Sequence, residues 1–104
     1  MSDFQLSPHA LIDLREIISN RAEYFGEDDS YRLEEDFLAA FERLAATPGL
    51  GHRRIDLTSR PYFFYLAPPY FIVYLRNVDP LAVIAVLHTA RDVRKLLRKR
   101  PFAG

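Results

Sequence analysis

The chain reads as an α+β fold: one short strand and a helical hairpin come first, an antiparallel meander follows, and a short basic helix closes the chain. Three observations predict it. Two apolar stripes at helical spacing fill the first half of the sequence. After Gly51 the apolar period shifts from about 3.6 residues to about 2, and β-branched and aromatic residues take over. The turn clusters between the later segments are too short for a crossover, which leaves antiparallel pairing.

Taken in order, Phe4 and Leu6 alternate with polar neighbours and predict a first strand. Ser7 can cap a helix and Pro8 suits its first position. Leu11, Leu14, Ile18, Ala22 and Phe25 then define the apolar stripe of a first helix that stops near Gly26. Asp28 and Asp29 place carboxylates where the dipole of a second helix favours them, and Leu33, Phe37, Ala40, Phe41 and Leu44 form its stripe up to Pro48-Gly49. So short a joint predicts an antiparallel hairpin. Four strands follow, over Arg53–Leu57, Pro61–Leu66, Tyr70–Arg76 and Ala82–His88, giving the order β-α-α-β-β-β(β). Asp92–Arg100 predicts a last helix with Val93, Leu96 and Leu97 inward.

A meander on one helical hairpin buries one sheet face and leaves the other open. Strict alternation puts Phe71, Val73 and Leu75 on one side, read as core, with Tyr70, Ile72, Tyr74 and Arg76 on the other. In the last strand Val83, Ala85 and Leu87 share a face, and Ile84, Val86 and His88 share the opposite one. With His88 on the open face, Ile84 and Val86 are expected there as an apolar strip for a partner chain to cover.

At 104 residues, 49% apolar and 27% charged, the composition is that of one globular domain over residues 1–104. No cysteine is present, so disulfides, thiolate metal sites and cysteine nucleophiles are excluded. No leader pattern and no apolar run near the roughly 20 residues of a membrane span is seen, so a cytoplasmic protein is expected. The net charge of zero conceals a division at Gly51. Residues 1–51 carry four Arg against eleven acids, a net of −7, and residues 52–104 carry ten Lys or Arg against three Asp, a net of +7. The basic half is where an anionic partner is expected.

His88, at a strand end, is the sharpest candidate for chemistry, although a hydrogen-bonded structural histidine is the commoner case there. Thr89 and Asp92 have capping-box spacing and are read as structural. Arg91 falls in the first helical turn, where positive charge is disfavoured, which makes it a candidate for a partner. Arg54 and Asp56 read as a surface ion pair worth under about 1 kcal/mol. The cluster Arg94, Lys95, Arg98, Lys99 and Arg100 is a solvated face or a site for nucleic acid or an acidic protein. His9 and His52 lack partners at metal spacing, so no metal or cofactor is expected. The run Tyr62-Phe63-Phe64-Tyr65 is read as core.

Several fragments resemble the RelE/ParE superfamily of toxins from type II toxin–antitoxin systems. They are FQLSPHALIDLREI from Phe4, FERLAATPGLGHRRIDL from Phe41, YFIVYL from Tyr70 and VIAVLHTARDVRKLL from Val83. The resemblance covers nearly the whole chain and implies a RelE/ParE-like fold, a cognate antitoxin as partner in a hetero-oligomer, and bacterial growth arrest. RelE-like members cleave messenger RNA on the ribosome; ParE-like members poison DNA gyrase. An RNA-cleaving site here would draw on His88, Arg54, Tyr74 and Arg91. That branch usually adds basic residues on the central strands and a tyrosine or histidine near the C-terminus. Here both lysines lie in the terminal segment, and Arg98–Gly104 holds neither tyrosine nor histidine. The resemblance therefore leans to the ParE branch, with no catalytic set and with Arg91, Arg94, Lys95, Arg98, Lys99, Arg100, Arg76, Ile84 and Val86 as target- or partner-binding residues. A ribosome-dependent endoribonuclease and a non-toxic binding module are the alternatives.

Overall fold

The computed structural model describes residues 3–102. Strand β1 (Phe4–Leu6) leads into helices α1 (Pro8–Phe25) and α2 (Glu27–Ala46), and a 3₁₀ turn (Pro48–Leu50) follows. Strands β2 (His52–Arg53), β3 (Phe63–Ala67), β4 (Tyr70–Leu75) and β5 (Leu81–His88) and helix α3 (Val93–Lys99) complete the chain. The sheet order is β1-β5-β4-β3-β2, with β1 parallel to β5 and every other pair antiparallel. The predicted meander is therefore present, and the first strand closes its far edge. The segment predicted as a strand over Arg53–Leu57 pairs only at His52 and Arg53 and then turns, because the Leu57 and Thr58 N–H groups both donate back to the Arg54 carbonyl.

Local chemistry sets the helix ends. The Ser7 hydroxyl accepts from the Ala10 N–H at 3.2 Å and Pro8 opens α1, as a capped start requires. Gly26 alone joins α1 to α2 at φ +91°, a conformation that a Cβ would strain. Glu27, Asp28 and Asp29 then lie against the positive end of the α2 dipole. Asp92, not Thr89, caps α3: its carboxylate accepts from the Lys95 N–H at 3.1 Å, while the Thr89 N–H donates to the Pro69 carbonyl. Arg91 consequently precedes the helix.

Both sheet faces are covered, which corrects the expectation of an open one. On one side Leu14, Phe37, Phe41 and Leu44 of the hairpin pack on Ile72, Tyr74, Val83 and Val86. On the other, Val93 and Leu97 of α3 pack with Tyr62 on Phe64, Val73, Leu75 and Leu87. Burial of each such side chain contributes about 1.5–3 kcal/mol, so seven residues of α3, too few for a free helix in water, are held by packing.

The alternation along β5 breaks at a bulge. Val73 pairs with Ala85 but the next residue, Tyr74, pairs with Val83, so Ile84 is the extra residue. Val83 and Val86 thus face the hairpin, while Ile84, Ala85 and Leu87 face α3. Ile84 and Val86 are 5% and 2% exposed, which rules out the exposed strip expected of them.

The inward face of α1 is also rotated from the expected stripe. Ala10, Asp13 and Leu14 are buried, whereas Leu11 and Phe25 are exposed. Asp13 turns inward because it has partners there. Its Oδ2 accepts from the Val86 N–H at 3.0 Å, and both oxygens accept from Arg100, at 2.8 and 2.7 Å.

Candidate functional site

The end of β5 places His88 on the hairpin side, its ring edge-on to Tyr70 with centroids 5.5 Å apart. Its Nδ1 accepts from the Ala90 N–H at 3.0 Å, which puts the ring proton on Nε2, and its carbonyl accepts from the Arg91 N–H. The imidazole therefore ties the turn that leaves the sheet. It lines a cavity of about 280 Å³ between α1 and β5, together with Asp13, Glu16, Arg21, Tyr24 and Arg91.

Tyr74 is fully buried. Its hydroxyl donates to the Pro48 carbonyl at 2.7 Å and accepts from the Gly51 N–H at 2.8 Å, pinning the segment that joins hairpin to sheet. Burial, the largest effect, pushes its phenol above the ordinary value, against the Gly51 hydrogen bond and the charge of Arg76. Gly51 has to be glycine here, since a Cβ would lie 2.5 Å from that hydroxyl. Tyr74 pairs with Val83 and Tyr70 with His88, so four residues of strand, about 13 Å at strand rise, part Tyr74 from His88.

Arg54 stands on the opposite side of the sheet, its guanidinium 5.7 Å from the centre of the Phe71 ring, which packs in the α3 cluster. It donates to both Asp56 oxygens at 2.9 and 2.8 Å, the ion pair expected from sequence. Arg54's hydrogen bond holds the exposed Asp56 carboxyl below the usual range, with weaker help from Arg94. Of the four residues named for RNA cleavage, His88 and Arg91 thus share a cavity, Tyr74 is buried a strand's length away and Arg54 is across the sheet.

The basic residues also divide. Arg91, Arg94, Lys95, Arg98 and Lys99 are exposed on and just before α3. Arg100 is not available to a partner in the same way, because it is part-buried in its bidentate pair with Asp13, which raises it above the ordinary arginine value. Arg76 lies away from α3, 5.3 Å from the Phe63 ring centre. Alternation alone could not assign Ile84 and Val86, which the bulge buries on opposite sides.

Two residues that sequence reasoning passed over organise this end of the molecule. Asp13 joins α1 to β5 and to the C-terminal segment; the signal was an acid set between Ala10 and Ile17 at helical spacing. Arg60 donates from one terminal nitrogen to the Leu97 and Arg100 carbonyls at 3.1 and 2.7 Å, closing the C-terminal end of α3. No local pattern in the sequence marks that contact, which joins residues 37 and 40 positions apart.

Residues 4–93 match the family described as ParE toxin of type II toxin-antitoxin system, parDE. The chain belongs to the ParE toxin family. Among solved structures, a chain of the chromosomal ParDE TA system from P. aeruginosa superposes on this ParE-family chain with a TM-score of 0.70 at 14% identity. The match covers 85% of this chain and 96% of that one, and at such identity it shows the shared fold. No curated protein sequence matches. The family match ends at Val93, so most of α3 with its cations lies beyond the matched segment. Among the described residues no helix is long and apolar enough to cross a membrane.

Proposed function

We propose that this ParE toxin arrests bacterial growth from the cytoplasm by binding DNA gyrase, and that a cognate antitoxin neutralises it in a hetero-oligomer. The observation that carries the reading is the dispersal of His88, Tyr74 and Arg54 in a chain whose family is ParE. Ribose-directed cleavage needs a base, a proton donor and phosphate-binding charge converging on one point, and these residues do not converge. Binding to a protein target requires only an accessible surface. The cations of α3 supply one.

The apolar surface for the antitoxin moves from the sheet to the helices. Ile12, Tyr24 and Phe25 on α1 and Tyr31 on α2 are each more than half exposed. Between the helices runs a shallow groove lined by Leu11, Leu14 and Ile18 and bordered by Glu34. Apolar exposure of this kind favours cover by a partner, and the toxin–antitoxin setting of the family supplies the antitoxin as that partner.

The test is to induce the toxin without an antitoxin and assay gyrase-linked DNA breaks and ribosome-bound messages together. The expected result is broken DNA held by gyrase with intact messages, equally for wild type and His88→Ala. Codon-phased message cleavage that His88→Ala abolishes would replace this reading with the endoribonuclease. Harmless overexpression of folded protein would support the binding module.

A further inference from the structure

The loop between β2 and β3 and the outer face of α3 enclose a polar cavity of about 440 Å³, lined among others by Asp56, Thr58, Ser59, Arg60, Arg94 and Arg98. We infer that this cavity is a phosphodiester-binding site through which the toxin holds the backbone of duplex DNA. The inference rests on the gyrase reading for its choice of DNA, the substrate on which that target works.

Three guanidiniums line the cavity, and they are held differently. Arg60 is fixed, since one of its terminal nitrogens donates to the Leu97 and Arg100 carbonyls and its guanidinium carbon lies 5.9 Å from the centre of the Phe102 ring. Arg94 and Arg98 are exposed and one helical turn apart, so their side chains rise from the same face about 5–6 Å from each other. The one carboxylate in the lining, Asp56, has both oxygens engaged by Arg54, which offsets its charge. Thr58 Oγ1 accepts from the Arg60 N–H at 3.2 Å, which leaves its own proton to donate, and the exposed Ser59 adds a second hydroxyl. The cavity therefore presents donors and positive charge to an oxyanion.

A phosphodiester in a repeating backbone fits better than a protein carboxylate. Arginine forks and hydroxyls pair as well with the two non-bridging oxygens of a phosphodiester as with the two oxygens of a carboxylate, so what surrounds the cavity decides between them. The cations continue beyond the cavity as Lys95 and Lys99 on the exposed side of α3, a track suited to a repeating polyanion. An isolated acidic side chain would leave most of that track unused.

The experiment titrates the purified full chain, without gyrase, into a fluorescently labelled 20-base-pair duplex and reads anisotropy across a salt series. Wild type should bind with a Kd on the order of 10⁻⁴ to 10⁻⁶ M near physiological salt, as sequence-independent phosphate contact does. Three phosphate contacts would give a slope of about −2.7 in log K against log salt. Arg94→Gln and Arg98→Gln should each lower that steepness by about 1, with thermal unfolding unchanged because both side chains are exposed. Absence of wild-type binding at low salt would overturn the inference, as would wild-type slopes in both variants. Displacement of the duplex by a poly-glutamate peptide at lower concentration than by competitor duplex would overturn it in favour of a protein carboxylate. Gyrase is absent from this titration, so failure here leaves gyrase-linked DNA breaks as a separate readout. Failure of those breaks with DNA binding intact would count against the target and not the site.

Discussion

Tyr74 shows how a residue that reads as chemistry from sequence can be spent on structure. Its hydroxyl is the one group joining the Pro48 carbonyl to the Gly51 N–H, and each would lose a partner if the oxygen were removed. Tyr74→Phe should therefore lower stability by about 1–3 kcal/mol near neutral pH, the cost of buried polar groups left unpaired. Urea unfolding should also show a pH signature. Burial raises the folded-state pKa above 10.0, so the folded chain keeps this proton after the unfolded chain has begun to lose it. The stabilisation is complete below about pH 10 and drains away as pH rises through the folded value. The stability gap between wild type and Tyr74→Phe should thus be constant from pH 7 to about 10 and shrink above it. A gap that stays constant to pH 11 would show that the phenol does not titrate differently in the two states. Asp13 belongs to the same scale. An aspartate reads as exposed by type, and only its partners, Val86 and Arg100, explain why it faces inward.

At the level of elements, α3 is the part of the fold most dependent on others. Seven residues cannot sustain a helix alone, and its apolar side, Val93 and Leu97, is complemented by Tyr62, Phe64 and Leu87. Its last carbonyls are closed from outside by Arg60. Arg60→Met keeps much of the aliphatic bulk but removes those donors, so hydrogen-exchange protection should fall in Val93–Lys99 while the β4 and β5 amides keep theirs. Uniform loss across the sheet would mean that Arg60 supports the whole fold and not α3 in particular. The elements themselves were largely legible in the sequence. Helical spacing found α1, α2 and α3, period two found β3, β4 and β5, and Ser7-Pro8 and Gly26 marked helix ends. What alternation could not show was the bulge at Ile84, because an extra residue is defined by the register of the neighbouring strand. The α1 stripe was misplaced for a related reason: Leu11 and Leu14 are equally apolar in type, and only the third dimension decides which is covered. The candidate site was the least legible part, since His88, Tyr74 and Arg54 are near in type and sequence region but lie at different ends and faces of one sheet.

Across the whole molecule, the division of charge at Gly51 becomes a division of surfaces. Most cations of the second half gather on α3 and the loop beside it, whereas the exposed apolar side chains of α1 and α2 are set among acids such as Glu16, Glu23, Glu34 and Glu35. Two partners can then be recognised by different chemistry, an anion by α3 and an apolar segment by the hairpin. If so, a change on the hairpin should release the toxin from its antitoxin and leave its action intact. Ile12 is the residue on which to test this, because it is 53% exposed and carries none of the core. Ile12→Glu should change stability by no more than about 0.5 kcal/mol, as surface substitutions usually do. Covering the exposed half of an isoleucine contributes about 1 kcal/mol, and placing a carboxylate in an apolar interface adds a desolvation cost. Together they amount to a loss of antitoxin affinity of at least about tenfold. Calorimetric titration of the antitoxin reads that loss directly. In cells, co-expressed antitoxin should rescue growth from wild-type toxin but not from Ile12→Glu at matched expression. Unchanged affinity with full rescue would place the antitoxin elsewhere on the molecule, and the basic face of α3 would then be the next surface to test.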